Sequence, residues 1–355
     1  MDRRKFVKYL GGSALATMIA PKMMGQSAEG MLQNSLACNP KKQSLIVNAG
    51  SLKFRPDGTL KILQITDCHY KVDDQFNSQP SIDRMKEVLD IEKPDFVMYT
   101  GDVVVSNESF TGLDTVLGMV IERNIPFAVV FGNHDDEYDH TRPELYDYIA
   151  AKTGALMPKR QGEDAPDFVI PVKSSGLDDK TSALLYCIDS HSYTNVPSVP
   201  GYDWIKFHQI QWYRQISREY TELNSGTPLP ALAFFHIPLP EYKDAIMDER
   251  NRIFGVKGEG VCCATANSGF FLSAKECGDI MATFCGHDHD NDYAVMYKDI
   301  MLAYGRYTGG NTVYNDIPNG ARVIILHEGE RKFDTYVRLK GGEIDTRITY
   351  PDSFK

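Results

Sequence analysis

Five short clusters of aspartate, asparagine and histidine contain the residue types that bind divalent metal ions. Each cluster directly follows a run of apolar residues. Carboxylate, amide and imidazole groups together suit manganese, zinc or iron, whereas no pair of cysteines has the spacing of a thiolate zinc site. The clusters are Asp67-Cys68-His69, Gly101-Asp102, Gly132-Asn133-His134-Asp135, His236 and Gly286-His287-Asp288-His289. They predict a site for divalent transition metals.

The apolar runs before the clusters have the length of buried strands. In the segments between the first three runs, apolar residues recur at the spacing of a helix. Strands are predicted over residues 60–66, 95–100, 126–131, 231–235 and 281–284, and helices over residues 81–91 and 113–123. Alternation of strand and helix favours βαβ units with parallel strands. Because ligands bind at the carboxyl ends of such strands, we expect the clusters to meet at one edge of a sheet.

The rest of the chain is less regular and shows no break in composition. Residues 168–172 and 183–188 predict a hairpin, residues 204–220 a helix, and residues 322–326 and 334–339 closing antiparallel strands. A single domain of this size is common, so we interpret residues 44–355 as one catalytic domain.

Composition limits the possible partners. The 355 residues are 42% apolar and 24% charged, which is typical of a globular protein, and the formal net charge is −10. A negative surface repels a polyphosphate backbone, which argues against nucleic acid as the main partner. A small phosphate ester stays possible because bound divalent metals reverse the local charge.

The amino terminus has the pattern of an export signal. Residues 2–8 are basic and include the pair Arg3-Arg4, and residues 9–20 are apolar and rich in small side chains. We therefore predict a twin-arginine-like signal peptide over residues 1–28, a linker over residues 29–43, and a periplasmic or otherwise extracytoplasmic mature chain without a transmembrane segment. A basic helix kept on the mature protein is the alternative. Cys38 lies too far from the apolar run to favour lipid anchoring.

The five clusters resemble, in order, the D-x-H, G-D, G-N-H-D, H and G-H-x-H motifs of the calcineurin-like metallophosphoesterases. The resemblance spans about residues 60–310, and residues 234–241 and 286–292 are similar to the purple acid phosphatase 29-like subgroup. It implies an α/β fold, a four-layer α/β/β/α sandwich of two mixed sheets flanked by helices. Val105 occupies the position at which purple acid phosphatases carry a tyrosine, so we expect no iron–tyrosinate site.

The resemblance also implies roles for individual residues. One metal ion would be held by Asp67, His69 and His289, the other by Asn133, His236 and His287, with Asp102 bridging the two. Two divalent ions (manganese, zinc or iron) would then supply a bridging hydroxide that attacks phosphorus. His134 would assist the leaving group, and Asp135 would orient His134.

Several alternatives stay open from the sequence. The favoured function is hydrolysis of phosphomonoesters or phosphodiesters, and the alternatives are a phosphoprotein phosphatase or a non-catalytic binding module. Arg306 is either a donor to the substrate phosphate or an ordinary surface arginine. The substrate, the native metals and the oligomeric state do not follow from the sequence.

Overall fold

The structure is a computed structural model that describes residues 52–310 and 313–355. The predicted signal peptide, the predicted linker and Cys38 lie outside the described residues. The predicted start of the catalytic domain at residue 44 lies outside them as well.

The described residues form thirteen β-strands. Their bounds are β1 (Thr59–Ile65), β2 (Phe96–Thr100), β3 (Phe127–Val130), β4 (Phe168–Lys173), β5 (Thr181–Cys187), β6 (Ala231–Phe234), β7 (Ile253–Phe254), β8 (Ile280–Cys285), β9 (Ala294–Tyr297), β10 (Ile300–Tyr304), β11 (Gly320–His327), β12 (Phe333–Leu339) and β13 (Ile344–Tyr350).

Six α-helices connect these strands within the described ranges. They are α1 (Gln75–Glu92), α2 (Ser109–Glu122), α3 (Arg142–Ala150), α4 (Phe207–Leu223), α5 (Pro240–Met247) and α6 (Phe270–Cys277). None of them combines the length and the apolar character that crossing a membrane requires.

The strands form two mixed sheets. The first has the order β13-β12-β11-β1-β2-β3, in which β1, β2 and β3 are parallel and the other neighbours are antiparallel. The second has the order β4-β5-β6-β8-β10-β9-β7, with a parallel centre from β5 to β10 and antiparallel edges. The predicted fold of two mixed sheets flanked by helices is confirmed.

The strand sequences explain the layers. Successive side chains of a strand point to opposite faces, so a strand that is apolar throughout must be covered on both sides. In β5, Leu185 and Cys187 belong to the core shared with the first sheet. Leu184 and Tyr186 instead pack in a second core that includes residues of α4, α5 and α6.

Helix α1 begins six residues earlier than the prediction. The Asp74 side chain accepts a hydrogen bond from the Asn77 backbone amide at 3.2 Å and starts the helix at Gln75, which leaves Pro80 inside it. Proline is disfavoured in helix interiors, and the apolar spacing on which the prediction rested begins only at Ile82. The short elements α3, α5, α6, β7, β9, β10 and β13 were not predicted.

Candidate metal centre

The carboxyl ends of five strands bring the predicted clusters together. In the first sheet, Asp67 follows β1, Asp102 follows β2 and Asn133 follows β3. In the second sheet, His236 follows β6 and His287 follows β8. The backbone amide of His287 donates to both carboxylate oxygens of Asp67 at 3.1 Å, so the two sheets are hydrogen-bonded to each other at the centre.

The backbone at the centre has an unusual conformation. Four of the predicted ligands, namely Asp67, His69, Asp102 and His287, have φ between 46° and 80°, the left-handed region that non-glycine residues rarely adopt. Gly101 also has φ +87°, and a Cβ atom there would lie 2.5 Å from Nδ1 of His236. Such strain is typical of functional sites, where the surrounding structure stabilises it.

The ligand atoms form two groups that share one aspartate. The first group is Asp67, His69, Asp102 and His289, and the second is Asp102, His236 and His287, each with its ligand atoms within 4.8 Å of one another. Nε2 of His69 and Nε2 of His236 lie 3.4 and 3.3 Å from the same Asp102 oxygen. The structure therefore brings six of the seven predicted ligands together in the arrangement that the resemblance implies.

Buried atoms without partners indicate that these groups fit metal ions. Among the described residues, His69 Nε2 and Asn133 Oδ1 are buried and have no hydrogen-bond partner. An unpaired buried polar atom costs about 1–3 kcal/mol, and both atoms are possible metal ligands. His287 faces the second group with Nδ1, which lies 3.3 Å from His236 Nε2. Asn133, the seventh predicted ligand, is fully buried. The donor set of carboxylate, amide and imidazole fits divalent manganese, zinc or iron.

His236 presents one defined nitrogen to the centre. Its Nδ1 lies 2.8 Å from the Thr100 carbonyl oxygen, so Nδ1–H donates there and Nε2 faces the Asp102 carboxylate. Burial lowers the pKa of His236, but the Asp102 carboxylate outweighs burial and raises this pKa to about 10. A positive charge is therefore favoured at this position.

The other site groups carry the charges that metal ligands need. Burial raises the pKa of Asp102, but the His236 and His69 imidazoles outweigh it and hold this pKa well below its usual range. Burial, assisted by the charge on His236, lowers the pKa of His287 to about 3. Asp102 is therefore an anion and His287 a neutral imidazole at neutral pH.

Asp135 hydrogen-bonds to the ligand loops, and in the part of the chain that the structure describes the partner of the His134 imidazole is Glu137 instead of Asp135, contrary to the prediction. One carboxylate oxygen accepts from the Gly132 and Asp102 amides at 2.7 and 2.9 Å, and the other accepts from the Val103 amide at 2.8 Å. Burial, together with the Asp102 charge, raises the pKa of Asp135 to about 6. The Asp135 carboxylate accepts from these backbone amides because buried amides need hydrogen-bond acceptors.

His134 lies at the rim of the centre. Its ring centroid is 5.5 Å from that of His69, and its side chain is 34% exposed. Nδ1 lies 2.7 Å from Oε2 of Glu137, so Glu137 orients the imidazole and leaves Nε2 for a substrate. The spacing of three residues between His134 and Glu137 was a signal that the sequence analysis missed.

Arg306 is buried, which contradicts its interpretation as an ordinary surface arginine. Its side chain is 2% exposed, and Nη2 forms an ion pair with Asp292 at 3.0 Å. Asp292 is fully buried and accepts from the Val256 amide at 2.6 Å. The spacing of charged residues in the sequence could not identify Asp292 as the partner, because the ion pair depends on how the loops pack.

Replacing Arg306 with methionine should destabilise the protein without affecting substrate binding. The substitution leaves Asp292 as an unpaired buried charge, which we expect to lower the free energy of unfolding by about 3 kcal/mol. Chemical denaturation measures this change, and Arg250→Met, at an exposed ion pair, is the control. An unchanged stability with an increased KM for a phosphate ester would instead place Arg306 at the substrate.

Comparison with known proteins identifies the class. The family model of calcineurin-like phosphoesterases matches residues 60–291. The chain belongs to this family.

Individual relatives are consistent with that assignment. The chain is 31% identical over 285 residues to "Probable inactive purple acid phosphatase 29" of Arabidopsis thaliana, covering 72% of this chain and 73% of the relative. It is 31% identical over 330 residues to "Phosphatase DCR2" of Saccharomyces cerevisiae, covering 82% of this chain and 56% of that longer protein. A dimetal phosphatase from Danio rerio has a similar fold, with a TM-score of 0.57 at 13% identity over 82% of this chain and 98% of that one.

Proposed function

We propose that the chain is an exported hydrolase of phosphate monoesters or diesters that uses two divalent metal ions. The observation that carries the proposal is the pair of ligand groups that share Asp102, together with the unpaired buried atoms that adjoin them. A single carboxylate shared by two sets of imidazoles is suited to holding two cations side by side.

The proposed ligands divide between the two ions. Asp67, His69 and His289 would hold one, Asn133, His236 and His287 would hold the other, and Asp102 would be shared. When bound, the ions supply positive charge for the phosphate oxygens and acidify a water molecule. The protein supplies the fixed orientation: Asp67 accepts from the His287 amide, and Asp102 accepts from the His134 amide at 2.9 Å.

His134 is the proposed proton donor. Its Nε2 makes no hydrogen bond among the described residues, and Glu137 fixes the ring through Nδ1. The proton moves from Nε2 to the oxygen of the departing alcohol, and the resulting neutral imidazole is protonated again from water. Asp135 acts indirectly in this proposal, because it holds the loops that carry Asp102 and His134.

Reconstitution of the purified protein tests the proposal. The metal-free protein is loaded with Mn(II), Zn(II) or Fe(II), its metal content is measured, and hydrolysis of p-nitrophenyl phosphate and of bis(p-nitrophenyl) phosphate is followed. We expect about two metal ions per chain and turnover of at least one ester. His208→Ala, at an exposed histidine, is the control that should match the unmodified protein.

Two results would contradict the proposal in different ways. A protein that binds no metal lacks the centre. A protein that binds two ions but cleaves none of a panel of mono- and diesters is the non-catalytic binding module, which the word "inactive" in the name of one relative makes a specific alternative. Cleavage of phosphopeptides alone would favour the phosphoprotein phosphatase.

Export is a separate proposal that depends on the amino-terminal sequence. Replacing both Arg3 and Arg4 with lysine should keep the protein in the cytoplasm, because the twin-arginine pathway reads the paired arginines. Cell fractionation with immunodetection measures the distribution. Lys8→Arg is the control, since it changes a basic residue outside the pair. Unchanged export of the double variant would contradict a twin-arginine signal.

A further inference from the structure

A short hairpin over residues 192–203 lies beside the second ligand group. Its strands are joined by hydrogen bonds from the Asp203 amide to the Ser192 carbonyl at 2.9 Å and from the Thr194 amide to the Gly201 carbonyl at 3.0 Å. Tyr193 and Tyr202 pair across this hairpin. Their rings are stacked, with centroids 5.4 Å apart and planes inclined by 24°. We call these two residues the tyrosine platform.

Both tyrosines contact predicted metal ligands. The Tyr202 ring packs at right angles on the His287 ring, with centroids 4.4 Å apart. Nδ2 of Asn133 donates to the Tyr193 hydroxyl at 3.3 Å, which leaves the Asn133 Oδ1 atom unpaired. The platform therefore adjoins the second ligand group, and any phosphate held there would lie close to the two rings.

The platform also lies on the His134 side of the centre. The Ser192 hydroxyl donates to the Asn133 carbonyl at 3.1 Å, and this carbonyl belongs to the peptide group that joins Asn133 to His134. The alcohol component of a substrate must lie near His134 if that residue protonates it. The same component would consequently lie near Tyr193.

The exposure of the platform argues that it binds a ligand. Tyr193 is 50% exposed although its hydrogen-bond partner Asn133 is fully buried. Packing on Tyr202 holds its ring in place, so little conformational entropy is lost when a second ring stacks on it. A flat, uncharged aromatic surface favours another planar ring over a flexible aliphatic chain.

We propose that the tyrosine platform binds a planar aromatic group in the alcohol component of the substrate. The substrate class is thus a phosphate ester that carries an aryl group or a nucleobase. This inference rests on the proposed phosphoesterase function and adds a subsite to it. Tyr193 and Tyr202 determine specificity, and the metal ligands and His134 carry out the chemistry.

Binding of phosphonates that cannot be hydrolysed tests the platform independently of turnover. Calorimetry with the Mn(II)-loaded protein compares phenylphosphonate with ethylphosphonate. We expect phenylphosphonate to bind about tenfold more tightly, because stacking on an aromatic side chain favours a planar ring by roughly this factor or more. Tyr193→Phe keeps the ring and should keep this ratio, whereas Tyr193→Leu should bring the ratio close to one.

A second pair of ligands distinguishes a nucleobase from a simple aryl group as the planar ring that the platform binds. The phosphonate analogues of adenosine 5′-monophosphate and ribose 5-phosphate, in which a methylene group replaces the ester oxygen, cannot be hydrolysed and differ in the base, so a preference for the nucleotide analogue indicates a nucleobase subsite. A preference for phenylphosphonate alone indicates an aryl subsite. Equal affinities within both pairs for the unmodified protein would overturn the inference, and this comparison needs no variant.

The outcomes separate the platform from the proposed function. Ester hydrolysis with no preference for a ring leaves the hydrolase proposal intact and overturns the platform. A ring preference in binding, without hydrolysis of any ester, supports the platform and overturns the hydrolase proposal. Tyr193→Phe removes only the hydroxyl and keeps the ring. If it changed the ratio of the affinities for phenylphosphonate and ethylphosphonate as much as Tyr193→Leu does, stacking would also be contradicted.

Discussion

Asp102→Asn should remove metal ions from both positions and lower kcat/KM by about three orders of magnitude. Asp102 is the only residue common to the two ligand groups in the described part of the chain, and its oxygen lies 3.4 and 3.3 Å from the nitrogens of His69 and His236. An amide keeps the shape of the side chain but loses the negative charge that two cations need. A thousandfold loss corresponds to about 4 kcal/mol of transition-state stabilisation.

Metal analysis and steady-state kinetics together measure this effect. Asp90→Asn is the matched control, because Asp90 is an exposed carboxylate on α1 that pairs with Arg123. It should retain both metal ions and full activity. If Asp102→Asn kept two ions per chain, Asp102 would not be the shared ligand.

His134→Ala should keep both metal ions and lower kcat by about a hundredfold or more. The imidazole lies outside the two ligand groups, so its removal leaves the metal ligands intact. General acid catalysis contributes about 10²–10⁴-fold, and the alanine variant loses this contribution. Measuring kcat beside metal content separates the two effects, and loss of metal in His134→Ala would place this residue among the ligands.

Glu137→Gln tests how His134 is oriented. Glutamine keeps an oxygen that can accept from Nδ1 but can also present its amide nitrogen there, so the ring is oriented less strictly and we expect a smaller loss of kcat than in His134→Ala. Steady-state kinetics of the two variants measure the difference, and wild-type kinetics for Glu137→Gln would remove Glu137 from the account.

The sequence predicted the site well because its signals are local. Each ligand lies within a few residues of the end of a strand, and an apolar run such as residues 96–99 marks that strand without knowledge of the fold. Parallel strands then bring Asp67, Asp102 and Asn133 to the same edge of a sheet. The predicted start of α1 at residue 81 was wrong, because the helix begins at Gln75 after the Asp74 N-cap, ahead of the first residue of the apolar spacing.

The contacts that could not be predicted from the sequence join residues that are far apart in the chain. Asp135 bonds to a turn more than 30 residues away, and Tyr193 contacts Asn133 from a distance of 60 residues. Arg306 pairs with Asp292 inside the protein, although arginine side chains are mostly exposed. Such partners are decided by tertiary packing, which neither periodicity nor motif spacing encodes.

Anomalous diffraction from crystals of the Mn(II)-loaded protein tests the binuclear centre most directly. Data collected at the manganese edge should show two strong peaks, one among Asp67, His69, Asp102 and His289 and the other among Asp102, Asn133, His236 and His287. Two-metal sites place such ions about 3.5–4 Å apart. A single peak, or peaks away from Asp102, would contradict the account of a shared carboxylate between two metal ions.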